Sequence, residues 1–157
     1  MAPNKDRIAE IFGHLASGDT DAFFGFVDDD VGKLVSEDEI DISRLTRPEW
    51  TVMSQSTLGG TYTSKRKFRE KTMGRLGVLL DKSTPMRLMP HNVIGGGALE
   101  DWCTVEMKNE SQAKDGSRYD QTYAWCVRWA KNEEKIVQVR AYLDTGLVDR
   151  LVQNNEH

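Results

Sequence analysis

Four strand-length runs fill the second half of the chain, at 86–94, 99–109, 118–129 and 135–143. Short turn signals join them: Gly95-Gly96-Gly97, Asp115-Gly116 and residues 131–134. Connections this short reverse the chain, so the runs predict an antiparallel sheet. Pro90 cannot donate to a ladder and marks an edge or a bulge in the first of them. A sheet of this kind buries one face, and the first half of the chain supplies what covers it.

Asn4 predicts the cap of a helix in which Ile8, Ile11, Phe12 and Leu15 keep an i, i+3, i+4, i+7 spacing, with Gly18 as its stop. Asp19 or Thr20 caps a shorter helix with Ala22, Phe23, Phe26 and Val27 on its apolar side. Residues 32–49 lack a regular period and predict a long loop. Residues 50–55 alternate as a strand, and Gly59-Gly60 break the chain. Ser64 then caps the longest helix, with Phe68, Thr72, Leu76, Leu79 and Leu80 on one side. Asp144 caps a last helix carrying Leu147, Val148 and Leu151. Helices followed by a meander predict an α+β fold in which a strongly bent antiparallel sheet packs on the N-terminal helices and encloses an apolar pocket.

The 157 residues match one domain, 1–157. A net charge of −4, with basic residues clustered only at Lys65, Arg66, Lys67, Arg69 and Lys71, argues against nucleic acid as a partner. No run approaches the roughly 18 apolar residues of a membrane span, and residues 1–7 are polar, so a cytoplasmic location is expected. Cys103 and Cys126 lack metal-ligand spacing and read as reduced packing residues. Phosphate-loop, dinucleotide and metalloprotease motifs are missing.

In the third run Tyr119, Gln121, Tyr123, Trp125, Val127 and Trp129 share one face. Two readings stand. As a cavity wall, this face offers the Tyr119 and Tyr123 hydroxyls to polarise a carbonyl or hold an enolate oxygen, with Gln121 and Trp125 as substrate contacts. As a core or dimer surface, it carries the hydroxyls at its edge. On the preceding run Trp102, Thr104, Glu106 and Lys108 alternate with Cys103, Val105 and Met107. Glu106 is either paired with a basic residue on the next strand, or lies in an apolar cavity that raises its pKa and makes it a usable acid or base. His91 is a hydrogen-bonded structural residue or a proton-transfer partner. Trp102 is a further substrate contact or a cavity filler, and Tyr62, beside Gly59-Gly60, reaches the cavity mouth.

The segments FVDDDV, LGGTYTSKRKF, DGSRYDQTYAWCVRW and IVQVRAYLDTGLVDRL resemble the SnoaL-like branch of the nuclear-transport-factor-2-like (NTF2-like), or ketosteroid-isomerase-like, superfamily. The resemblance covers nearly the whole chain and implies a cone-shaped fold, a homodimer, an apolar cavity and cofactor-free acid–base chemistry by carboxylates helped by tyrosine, histidine or arginine. Glu106 falls roughly where the epoxide-hydrolase branch places an acid. Three departures stand out. Ala141 replaces the acid that many relatives carry in the final strand, Thr57 stands where others have a histidine, and residues 32–49 form an insertion. The resemblance implies an isomerase, cyclase or dehydratase acting on a hydrophobic carbonyl-bearing small molecule of natural-product biosynthesis, with Glu106 moving the proton, Tyr119 or Tyr123 stabilising the oxyanion and His91 in reserve. The alternative, which Ala141 and Thr57 favour, is a non-catalytic ligand-binding or dimerisation module.

Overall fold

The structure, a computed structural model, describes residues 1–28, 50–53, 56–62, 64–131 and 134–156. The expected 32–49 loop and the end of the predicted 50–55 strand lie outside the described residues. Helix α1, Lys5–Ser17, begins where the Asn4 side chain accepts the Arg7 N–H at 2.9 Å and buries Ile8, Ile11, Phe12 and Leu15. It ends at Gly18, whose φ of 83° is left-handed; a β-carbon there would also strike the Arg87 guanidinium. Helix α2, Thr20–Gly25, is capped by Asp19 and buries Phe23 and Phe24. The sequence stripe named Phe26 in place of Phe24. The helix stops one residue short of Phe26, and Val27 already bridges to Ile136.

The sheet contains β1 (Trp50–Met53), β2 (Gly60–Tyr62), β3 (Met89–Gly95), β4 (Trp102–Gln112), β5 (Arg118–Trp129) and β6 (Ile136–Leu143), in the order β2-β1-β6-β5-β4-β3. Strands β3 to β6 are antiparallel, as their turns require, and the register slips between Pro90 and Asn92 at the expected bulge. Strand β1 runs parallel to β6, so the sheet is mixed and not purely antiparallel. No tight turn joins β1 to β6, and nothing local forces them to be antiparallel.

The predicted long helix is interrupted. Helix α3, Lys65–Arg69, is capped by Ser64 and passes through a π-helical stretch, Glu70–Gly74, into the short α4, Arg75–Gly77. Thr72 donates its hydroxyl to the Phe68 carbonyl at 2.6 Å, and a β-carbon on Gly74 would lie 3.2 Å from the Arg69 oxygen. Helix α5, Thr145–Asn155, starts at the Asp144 cap and buries Val148, Leu151 and Val152.

One face of β4, β5 and β6 meets these helices. Met107, Tyr123, Trp125 and Val139 pack with Phe12, Phe23 and Phe68, and Trp125 makes edge-on contacts to those three rings at 5.8–6.2 Å. Each such ring or aliphatic side chain removed from water contributes about 1.5–3 kcal/mol. Among the described residues no helix is long and apolar enough to cross a membrane.

Candidate functional site on two faces of one sheet

Between the inner face and the α3–α4 helices lies a cavity of about 30 Å³, walled by Phe68, Leu76, Met73, Met86, Tyr123 and Trp125 among others. That is room for little more than a water molecule. Tyr119 and Tyr123 bring their hydroxyls to 3.3 Å of each other inside the protein, and Tyr123 reaches the cavity. Burial pushes the pKa of both phenols up, and the Tyr119 neighbour pushes Tyr123 further. Both therefore stay protonated near neutral pH and act as hydrogen-bond donors, not bases. The Trp125 indole N–H is buried with no partner among the described residues. Ala141 pairs with Trp125 across the ladder and adds only a methyl group to the wall.

The other expected inner contacts have different roles. Gln121 is buried on the inner face, but its amide is spent on the backbone. Its Nε2 donates to the Asp144 carbonyl at 3.0 Å, and its Oε1 accepts the Asp144 N–H at 2.9 Å and the Thr122 N–H at 3.1 Å. It takes the place of ladder bonds where β6 ends and β5 continues, and Gln121 is not among the residues lining the cavity. Tyr62 donates its hydroxyl to the Leu58 carbonyl at 2.8 Å and packs edge-on against Phe68, behind the cavity wall and not at its mouth. Thr57 is exposed, and its N–H is held by Asp149.

Glu106, His91 and Trp102 stand on the outer face. Register decides this: Met107 pairs with Tyr123 and Glu106 with Ala124, and directly opposed residues share a face. Glu106 accepts a hydrogen bond from Asn92 Nδ2 at 2.8 Å, and His91 Nε2 lies 4.0 Å from its carboxylate. More than a third of each of the Glu106 and His91 side chains is exposed, so neither lies in an apolar cavity. They edge an open depression of about 360 Å³ with Thr122, Tyr123, Ala124, Tyr142 and Leu143. The basic partner anticipated for Glu106 on the next strand is replaced by this amide and imidazole from β3. Trp102 carries the Arg140 guanidinium 5.1 Å above its ring, a contact far from the cavity.

The four residues expected to act together thus form two pairs on opposite sides of one sheet. Residues the sequence reading missed are Met73 and Met86. Met73 lies in the predicted long helix but outside its apolar stripe, and Met86 opens the first strand-length run, so neither position carried a signal of the cavity. Among the described residues no cluster of three metal-ligating side chains occurs. Cys103 is buried as expected, its thiol pushed up to about 11 by burial.

No family model matches the chain. An NTF2-like protein from Burkholderia thailandensis E264 superposes with a TM-score of 0.66 over 93% of this chain and 94% of its own, at 18% identity. The fold is NTF2-like. A protein from Catenulispora acidiphila DSM 44928 with a ketosteroid-isomerase-like fold, solved in complex with trimethylamine, matches this NTF2-like chain with a TM-score of 0.59 over 93% of it and 90% of the other, at 12% identity. In sequence, the NTF2-like chain is 27% identical over 131 residues to the dimerizing cyclase phiC of Fungal sp. (strain ATCC 74256), a match covering 81% of this chain. It spans 56% of the length of that curated relative.

Proposed function

We propose that this NTF2-like chain is a cofactor-independent cyclase or isomerase for a hydrophobic, carbonyl-bearing small molecule of natural-product biosynthesis, working in the cavity between sheet and helices. The observation that carries the reading is the pair of buried, protonated phenols, Tyr119 and Tyr123, 3.3 Å apart, with Tyr123 lining a largely apolar space. The similarity to a dimerizing cyclase over most of the chain supports the reaction class.

In this scheme the Tyr123 hydroxyl donates to the substrate carbonyl. The Tyr119 hydroxyl donates in turn to Tyr123, and the charge that develops on the carbonyl oxygen is held by donors already oriented and shielded from water. Polarising the carbonyl makes its carbon electrophilic. An enol carbon of the guest attacks it, a C–C bond forms as the C=O π bond breaks, the enol proton passes to the new alkoxide oxygen, and the apolar walls hold the reacting carbons together. Glu106 and His91 have no part in it, since the sheet separates them from the cavity.

The test is Tyr123→Phe, assayed against cyclic carbonyl compounds first selected by thermal shift. Loss of one such donor lowers turnover by about 10²–10³ with the fold retained. Turnover equal to wild type would remove the tyrosine pair from the chemistry.

A non-catalytic binding module is the second reading. It is favoured by one observation, that no carboxylate or imidazole occurs among the described residues lining the cavity.

The proposal includes a homodimer through the outer face, where Met53, Met89, Ile94 and Tyr142 stand exposed. An apolar set of this kind on a sheet face marks an association surface. Light scattering should give a dimer for the wild type and a monomer for Ile94→Glu combined with Tyr142→Glu; a monomeric wild type at micromolar concentration rejects it.

A further inference from the structure

We infer that Met73 and Met86 form a movable plug in the inner cavity and set the size of the guest it accepts, an apolar ring-bearing molecule that presents an acceptor oxygen. The inference rests on reading that cavity as the substrate site. At about 30 Å³ the space is far below the roughly 300–1,000 Å³ of organic ligand pockets, so any guest must displace side chains.

The structure narrows which ones can move. All the lining residues are buried except Met73, Met86 and Leu143, and these three reach solvent. Leu143 is tied to Tyr123 by the end of the β5–β6 ladder. Met73 sits in the π-helical turn, a conformation that recurs at functional sites. Met86 lies in the segment before β3, outside any regular element. Its backbone is steadied by neighbouring bonds: the Arg87 N–H donates to Asn109 and the Arg87 guanidinium to the Met86 carbonyl. Both backbones are therefore held while two unbranched, three-torsion side chains close the rim. Methionine is the residue that fills and vacates such spaces at least cost.

The wall also defines the chemical class. Thr72 spends its hydroxyl on the Phe68 carbonyl, leaving the Tyr123 hydroxyl and the unpartnered Trp125 N–H as the polar hydrogens on the lining. Both are donors. A ketone or quinone oxygen is satisfied by either, while the one acceptor beside them, the Tyr123 oxygen, already meets Tyr119.

The experiment uses the whole chain and 1-tetralone, a bicyclic ketone, as the probe in calorimetry. The Met73→Ala/Met86→Ala double variant should bind it at least tenfold more tightly than wild type. The Met73→Ile/Met86→Ile double variant keeps the bulk, removes the flexibility, and should bind at least tenfold more weakly. The Ile pair keeps the test open if the Ala pair fails to fold. Tyr123→Phe should weaken binding in every background. If Tyr123→Phe weakens binding but both methionine pairs bind as wild type does, the plug is wrong and the cavity reading survives. If no variant binds tetralone at all, both fall.

Discussion

The inner and outer faces of β4 and β5 handle polar groups in opposite ways. On the inner face the phenols of Tyr119 and Tyr123 are withdrawn from water, paired with each other and raised in pKa by burial. On the outer face Glu106 and His91 are more than a third exposed, and Glu106 accepts from Asn92 with His91 4.0 Å away. Desolvation separates the two. A group shielded from water acts strongly on whatever reaches it, while a solvated carboxylate–imidazole pair interacts weakly, about 0–1 kcal/mol. A carboxylate in the middle of a strand is therefore a poor guide to chemistry until its face is known.

The largest break in this contrast should come from Tyr123→Phe, with its hundredfold or greater loss of turnover. Gln121→Ala tests whether the inner polar groups are structural where they are not catalytic. It strands the Asp144 and Thr122 backbone groups and should cost about 1–3 kcal/mol in urea unfolding. A loss of binding without a loss of stability would return Gln121 to the substrate.

The phenols also predict an alkaline limit. Their folded pKa values are raised above the ordinary 10.0, so the native state keeps protons that the unfolded chain releases. Stability from this source is complete below pH 10 and declines as pH rises above it. Denaturation followed across that range should show a shallower decline in Tyr119→Phe. An equal slope in the two proteins would mean Tyr119 is not the titrating group. The smallest effect is expected from Glu106→Gln, which keeps an acceptor for Asn92. Stability should stay within about 0.5 kcal/mol, and turnover should be unchanged. A drop of two orders of magnitude would reinstate Glu106 as the base and overturn the division between faces.

Much of the fold was legible because its signals are local. Asn4, Ser64 and Asp144 cap as read, Asp19 takes the cap left open between it and Thr20, Gly18 stops α1, and the turns at Gly95-Gly96-Gly97 and Asp115-Gly116 join antiparallel strands. The aromatic face of β5 was correctly grouped, since period two holds along any single strand. Combining Glu106 with Tyr123 failed because their relation depends on a second strand. Shifting the pairing of β4 against β5 by one residue would exchange Glu106 and Met107 between faces.

The sequence by itself determined the helix caps, the antiparallel turns and which residues of β5 stand together, because capping, turn chemistry and periodicity are settled within a few residues; the NTF2-like plan was legible only as a resemblance of longer segments. Only the tertiary structure decided that Glu106 and His91 face outward, that β1 joins β6 in parallel, and that Met73 and Met86 occupy the cavity. Each of these depends on strand register or on packing between segments distant in the chain.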